Sequence, residues 1–281
     1  MRHFILKDGS KKTFSRMEMM GIINVTPDSF YSGSRVNGTE EALAKAGDFI
    51  SEGATFIDVG GESTRPGAKK VSICEEIERV CPVISRIKKK YPEILVSVDT
   101  YNAPTAAAAV EAGADIVNDI SGLTFDENMV DVVAATGVPV IIMHTQGRPD
   151  VMQKNPHYDN VVKEVYEYLE KQRDYAVARG VDREKIIIDL GIGFGKRYEH
   201  NVELLRNIDV FAELNCPHLL AISRKSFIGT LLNQEDPEDR LFGTVAVTLF
   251  ARMHGIEMAR VHDVKENLWA VRMLEELACD V

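Results

Sequence analysis

The chain has 281 residues, an ordinary 45% hydrophobic content and a formal net charge of −10, which is long for one small domain and comfortable for one α/β barrel with a sizeable core. The negative balance excludes a general nucleic-acid-binding surface and requires any anionic ligand to find a local basic patch. Cys74, Cys81, Cys216 and Cys279 form no CxxC pair and no metal-like spacing with histidine, so they are expected as reduced, mostly buried thiols; with no apolar run of membrane-spanning length and no signal peptide in Met1-Arg2-His3, the expected location is cytoplasmic.

Residues 3 to 14 predict a β-hairpin, Phe4-Ile5-Leu6 and Lys12-Thr13-Phe14 flanking the turn Asp8-Gly9; too small to stand alone, it should cover one end of the main fold. The first main strand, Met19 to Val25, ends polar at Asn24. A Ser-, Gly- and Asn-rich segment from 26 to 38 reads as a mobile loop, and Thr39 as the cap of a helix with Leu43, Ala46 and Ile50 on one face, stopping at Gly53. The second strand, Thr55 to Val59, runs into Gly60-Gly61-Glu62-Ser63-Thr64-Arg65-Pro66-Gly67, and a helix is expected from Ser72 to Lys90. The third strand, Ile94 to Val98, ends on Asp99-Thr100 and precedes an alanine-rich helix stopping at Gly113. The fourth, Asp115 to Val117, ends on Asn118-Asp119 and precedes a helix stopping at Gly137.

The fifth strand, Pro139 to Met143, ends on His144; a long loop and a long helix with Val161, Val165, Leu169 and Ala176 on one stripe follow. The sixth is the apolar run Ile186-Ile187-Ile188, ending abruptly at Asp189 and then Leu190-Gly191-Ile192-Gly193-Phe194-Gly195-Lys196. Glycine there lets the backbone turn sharply or lie against a ligand. Taken alone, this segment fits an acid delivered into a glycine-rich mouth and equally a turn whose Asp caps the helix expected from Asn201 to Leu214. The seventh strand, Leu219 to Ile222, ends on Ser223-Arg224-Lys225, before a helical region with Leu241, Val245 and Leu249. The eighth, Met258 to His262, precedes a last helix that Asp263 and Glu266 are expected to cap, with Leu268, Val271 and Leu274 inward.

Eight β-α units predict an α/β chain folded as a (β/α)8 TIM barrel with an N-terminal β-hairpin, one domain over residues 1–281. An open doubly wound sheet is the alternative; the barrel is favoured because polar residues fall at the carboxyl end of every strand rather than at one switch point. Asn24, Asp99, Asn118, Asp189, Lys225, Arg260 and His262 would then share one rim, with Thr64 and Arg65 on a loop beside it. Each alone has a structural explanation as a cap, turn or surface pair; together they point to a site. Asp99, Asn118 and Asp189 offer acceptors and one amide, suited to an amino group with an adjacent ring N–H on a pterin- or guanine-like heterocycle. Asn24, Thr64, Arg65, Arg260 and His262 suit a phosphate-type group, with Mg²⁺ bridging through Asn24; Lys225 would lie between the halves.

The motifs Gly21-Ile22-Ile23-Asn24-Val25-Thr26-Pro27-Asp28-Ser29-Phe30, Gly60 to Gly67, Ser97-Val98-Asp99-Thr100, Asn118-Asp119-Ile120-Ser121-Gly122, Ser223-Arg224-Lys225-Ser226 and Arg260-Val261-His262-Asp263 closely resemble the dihydropteroate synthases, a pterin-binding barrel family. The resemblance covers nearly the whole chain. It implies a cytoplasmic, homodimeric transferase of folate biosynthesis that condenses 6-hydroxymethyl-7,8-dihydropterin diphosphate with p-aminobenzoate, releasing pyrophosphate with Mg²⁺ present. By motif, Asp99, Asn118, Met143, Asp189 and Lys225 would hold the pterin; Asn24, Thr64, Arg65, Arg260 and His262 the pyrophosphate and, through Asn24, the metal; Pro66, Phe194, Lys225 and Ser226 the p-aminobenzoate. Asp99, Asp189, Lys225, Arg260 and His262 would carry the catalysis.

The chain departs from the common pattern at Tyr31-Ser32-Gly33, at Leu190 where proline is usual, at Ala221 where glycine is usual, and at Thr145 in the His144 motif. Leu190 predicts a looser turn, and the Ala221 methyl a crowded pterin edge. Two rival functions are a methyltetrahydrofolate methyltransferase, disfavoured by the Ser63 to Pro66 and Ser223 to Ser226 motifs and by the absence of a corrinoid-binding region, and a pterin-binding protein without turnover.

Overall fold

The computed structural model describes residues 2–25, 38–63 and 70–278; the 26–38 loop expectation, the Thr64-Arg65-Pro66 motif, the Tyr31-Ser32-Gly33 departure and Cys279 fall wholly or largely outside them. Eight parallel strands close into a barrel: β3 (Glu18–Asn24), β4 (Phe56–Gly60), β5 (Leu95–Asp99), β6 (Ile116–Asp119), β7 (Val140–Met143), β8 (Ile186–Asp189), β9 (His218–Ala221) and β10 (Met258–Val261), which returns to β3. β1 (His3–Ile5) and β2 (Lys11–Thr13) form the antiparallel hairpin. The open-sheet alternative is thereby excluded. The continuous β-branched runs are required because each barrel strand is covered on both faces: β6, β7, β8 and β9 are buried at every position.

Inside the amino-terminal end, Met20, Phe56, Ile116, Ile141, Ile187, Leu219 and Met258 make one apolar plug, completed by Phe4 and Phe14 of the hairpin. The Phe4 ring lies 5.9 Å from Phe14 and 6.4 Å from Phe56. Arg2 donates to Glu257 at 2.6 Å and pins the hairpin's start to the barrel. This end is a stopper, and the chemistry is left to the other end.

The outer layer is α1 (Thr39–Ser51), α2 (Ile73–Lys90), α3 (Ala103–Glu111), α4 (Met129–Thr136), α5 (Val161–Ala178), α6 (Tyr198–Arg206), α7 (Ser226–Leu232), α8 (Leu241–Met253) and α9 (Val264–Leu277). Ser72 caps α2 by accepting from the Glu75 N–H at 3.2 Å. Several sequence expectations are corrected. Thr39 is the first helical residue, and Gly38 stands at the cap. The helix expected to Leu214 tightens into a 3-10 segment at Ile208–Leu214. α8 turns Thr244, Thr248 and Ala251 inward and leaves Leu241, Val245 and Leu249 half-buried, because Thr248 donates to the buried Asn267 of α9 at 2.8 Å. Likewise α9 buries Val264, Asn267 and Val271, with Leu268 and Leu274 half-buried. Asp263 makes no side-chain cap, since its carboxylate is taken by Arg224. Of the thiols, only Cys216 is buried among the described residues; Cys81 is half-buried and Cys74 exposed.

Candidate active site

The barrel register sets four strand ends side by side: Asn24 pairs with Gly60, Gly60 with Asp99, and Asp99 with Asn118. A Cβ at Gly60 would sit 3.5 Å from the Asp99 Cβ and 3.6 Å from the Asn24 Oδ1. The missing side chain therefore leaves an oxygen-lined cradle between the amide and the carboxylate.

Above it lies an ion network. Arg260, from β10, donates through Nε to Asp58 Oδ2 at 2.5 Å and through a terminal nitrogen to Asp99 Oδ2 at 2.6 Å. Asp58 has no solvent exposure and also accepts from the Ser97 hydroxyl and, at 3.3 Å, from the Asn118 amide. Burial pushes the Asp99 carboxyl up to about 7, against the pull of Arg260 and with Asp58 adding to the rise. Burial also disfavours charge on Arg260, yet Asp58 and Asp99 together hold its guanidinium above the ordinary range. The expected separation into two half-sites is thus replaced by contact: Asp99 and Arg260, assigned to opposite halves, are hydrogen-bonded. Asp58 was missed in the sequence because it sits mid-strand in Phe56-Ile57-Asp58-Val59. A carboxylate inside an apolar strand was itself the available signal.

Asp189 closes β8 almost fully buried, its Oδ1 accepting from the Gly191 N–H at 2.8 Å. Burial raises its carboxyl, and the Lys225 charge opposes the rise. The capping alternative fails, since Arg197 stands at the cap of α6. Gly191, Gly193 and Gly195 all adopt positive φ, and a Cβ at Gly191 would lie 1.8 Å from the His144 carbonyl oxygen. The turn is therefore tight, not loosened, with Leu190 buried beneath it. Lys225 donates to the Ile192 carbonyl and places its ammonium 4.7 Å from the Phe194 ring centre. Burial lowers it to about 8, with Asp189 holding it up. Ser226 opens α7 beside it, exposed. Met143 packs with Tyr101 and Ile120, and Phe125 and Phe194 lean on the group; the sequence identified Met143 and Phe194 and missed the other three walls. The Ala221 methyl sits on β9 opposite Arg260.

Arg224 holds a left-handed backbone, φ 56°, a costly conformation for a non-glycine residue. It is locked by paired bonds to Asp263 at 2.8 and 2.7 Å and by donation to the Pro237 and Glu238 carbonyls at 2.8 Å. The turn separates Ser223, which meets His262 Nδ1 at 2.9 Å, from Lys225 at the mouth.

Burial, assisted by the charges of Arg260 and Arg224, pushes His262 down to about 3. Between pH 6.5 and 3 the unfolded chain therefore binds a proton that the folded chain refuses, so this residue's contribution to stability falls as pH drops through that window. From pH 7 to 5 the wild type should lose about 2 kcal/mol more unfolding free energy than His262→Gln. Denaturant titrations at both pH values measure this, and equal losses would reject a neutral buried imidazole.

The sequence profile described as pterin binding enzyme matches residues 20–262. The chain is 43% identical over 271 residues to the dihydropteroate synthase of Escherichia coli K12, covering 96% of this chain and 95% of that one. Among solved structures it superposes on the Yersinia pestis dihydropteroate synthase with a sulfonamide drug complex at TM-score 0.93 and 39% identity, covering 99% and 100% of the two chains. It superposes on the Xanthomonas albilineans dihydropteroate synthase in complex with 7,8-dihydropteroate at TM-score 0.87 and 37% identity, covering 99% of each.

Proposed function

We propose, for a chain that belongs to the pterin binding enzyme family and matches its dihydropteroate synthases end to end, the following reaction. It is a transferase joining 6-hydroxymethyl-7,8-dihydropterin diphosphate to p-aminobenzoate, giving 7,8-dihydropteroate and pyrophosphate. The aniline nitrogen forms the new C–N bond at the pterin methylene, the C–O bond to the diphosphate breaks, and the nitrogen loses a proton. The observation that carries the proposal is the single mouth in which buried Asp58, Asn118 and Asp189 and half-buried Asp99 adjoin Lys225, Arg260 and His262.

In this reading Asp189 and Asn118 pair with the amino and ring N–H groups of the pterin, and Met143 walls it. Lys225 stands between ring and amine. Arg260 and His262 face the leaving diphosphate, where charge develops as the C–O bond breaks. Thr64 and Arg65 join them, and Pro66 completes the amine subsite with Phe194, Lys225 and Ser226; these three loop residues come from the sequence motif alone. The oxygen-lined cradle at Gly60 fits Mg²⁺. An ion there would take most of its oxygens from phosphate and water. Asn24 would hold it, and its charge would neutralise the departing diphosphate.

Purified protein given both substrates and Mg²⁺ should form dihydropteroate and pyrophosphate in equal amounts. Pterin binding without product would favour the non-catalytic rival, and methyl transfer from methyltetrahydrofolate the other.

The same proposal includes a homodimer and a cytoplasmic location; no helix among the described residues is long and apolar enough to cross a membrane. α7, α8 and α9 leave Leu231, Phe242, Met253, Trp269, Met273 and Leu277 between 54% and 84% exposed, an apolar load that a second copy of the chain would cover. Light scattering should return twice the chain mass at micromolar concentration, and a monomer would remove the second copy.

A further inference from the structure

Lys196 is a buried lysine, 3% exposed, that takes no part in the reaction described above. Its Nζ lies 2.8 Å from the Gly191 carbonyl oxygen, 3.1 Å from that of Phe194, 2.8 Å from His144 Nδ1 and 3.4 Å from the His144 carbonyl oxygen. Ammonium and amine both satisfy this set, the first donating to Nδ1 and the second accepting from it. Burial lowers both residues well below their ordinary values, so a neutral pair is available without breaking the contacts.

The segment Lys196 grips has no ladder of its own. From Gly191 to Gly195 it is an arch with one backbone turn bond, from the Phe194 N–H to the Gly191 carbonyl at 3.0 Å, and with its carbonyls otherwise held by side chains: Ile192 by Lys225, Gly193 by Gln153 at 2.6 Å, Gly195 by Tyr158 at 2.8 Å, and both Gly191 and Phe194 by Lys196. Among the side chains of the described residues, only Lys196 bridges two of them. Asp189, by contrast, belongs to a strand paired on both sides, with Met143 and with Leu219. Loosening the arch should therefore displace the Phe194 ring and leave Asp189 in place.

We propose that Lys196 is a positioning residue for the amine half of the reaction: by tying Gly191 and Phe194 to the backbone after β7, it holds the Phe194 ring beneath Lys225 and so shapes the p-aminobenzoate subsite. This rests on the reaction proposed above. In Lys196→Met, the KM for p-aminobenzoate should rise about tenfold, while kcat and the KM for the pterin diphosphate stay within about threefold. Phe194→Ala combined with Lys196→Met should be no worse than Phe194→Ala alone, because the lysine acts through that ring. Without any substrate, amide exchange should quicken about tenfold or more at Gly191, Gly193 and Phe194 and stay unchanged in residues 140–143 and 186–189.

Equal rises in both KM values, a fall in kcat alone, additive effects in the double variant, or exchange quickened through the strands would overturn the proposal. If the wild type itself does not turn over, the reaction is wrong, and the exchange comparison decides the clamp by itself. Should Lys196→Met not fold, Lys196→Arg, which moves the donors along a longer and bulkier side chain, is put through the same measurements with the same criteria.

Discussion

Replacing Arg260 with alanine is expected to cost about two to three orders of magnitude in turnover, the loss typical of removing one preorganised donor to a developing anion. It should also destabilise the fold by about 3–5 kcal/mol, the usual cost of removing one partner from a buried ion pair. Both effects follow from one position. The guanidinium is the shared countercharge of Asp58 and Asp99, at 2.5 and 2.6 Å, and it faces the place proposed for the diphosphate. Without it, the buried Asp58 and the half-buried Asp99 remain side by side with no cation between them. The Asp99 carboxyl, already raised by burial, then rises further above its unfolded value. Stability from a raised carboxyl is present at low pH and lost as pH climbs through the folded value, so the deficit should be smaller at pH 5 than at pH 8. Steady-state kinetics and urea titrations at the two pH values provide the check. Intact turnover at saturation, or a deficit indifferent to pH, would refute this account of Arg260.

Asp189→Asn should weaken pterin binding by about 1–3 kcal/mol, roughly 5- to 150-fold in Kd. The direction follows from a local bond. Gly191 N–H donates to Asp189 Oδ1 at 2.8 Å, so the asparagine carbonyl must keep that place and turn its NH2 towards the mouth. A ring N–H that met an acceptor then meets a donor. The swap also strips Lys225 of the charge that sustains its protonation. Calorimetry with a pterin ligand measures the loss, and unchanged affinity in a folded variant would remove Asp189 as the pterin anchor.

Strands, their order and the position of each polar strand end were legible in the chain. Apolar runs and glycine stops are local signals, written over five to ten residues by the need to bury a strand and to turn at its end. The motif residues Asn24, Asp99, Asn118, Asp189, Lys225, Arg260 and His262 were legible for the same reason: each stands at or close to the carboxyl end of such a run. Glycines 191, 193 and 195 announced a close approach, although the partners proved to be the protein's own atoms: the His144 carbonyl at Gly191, the Lys225 side chain at Gly193 and Gln146 at Gly195.

What the chain could not determine locally was which polar groups would choose each other. Arg260 reaches Asp58 and Asp99 across 202 and 161 residues, and no periodicity carries that information. Asp263, well placed by sequence to cap α9, turned instead to Arg224. There, two parallel charge-assisted bonds in a half-buried corner outweigh one bond to a helix N–H. The threonines of α8 displaced Leu241, Val245 and Leu249 from its inner face because each found a partner there, Thr248 at Asn267 and Thr244 at the Arg224 N–H and the Arg240 carbonyl, and a buried hydroxyl with a partner is less destabilising than one without. Lys196 stood in the sequence only as the last residue of a glycine run. Only the closed barrel, bringing His144 and the arch to the same point, made burial of its amine affordable. The sequence by itself therefore determined where the barrel's strands run and which polar residues stand at their ends. The tertiary structure alone decided how those groups pair, because hydrophobic patterning is set by neighbours in the chain and the pairing of buried polar atoms by neighbours in space.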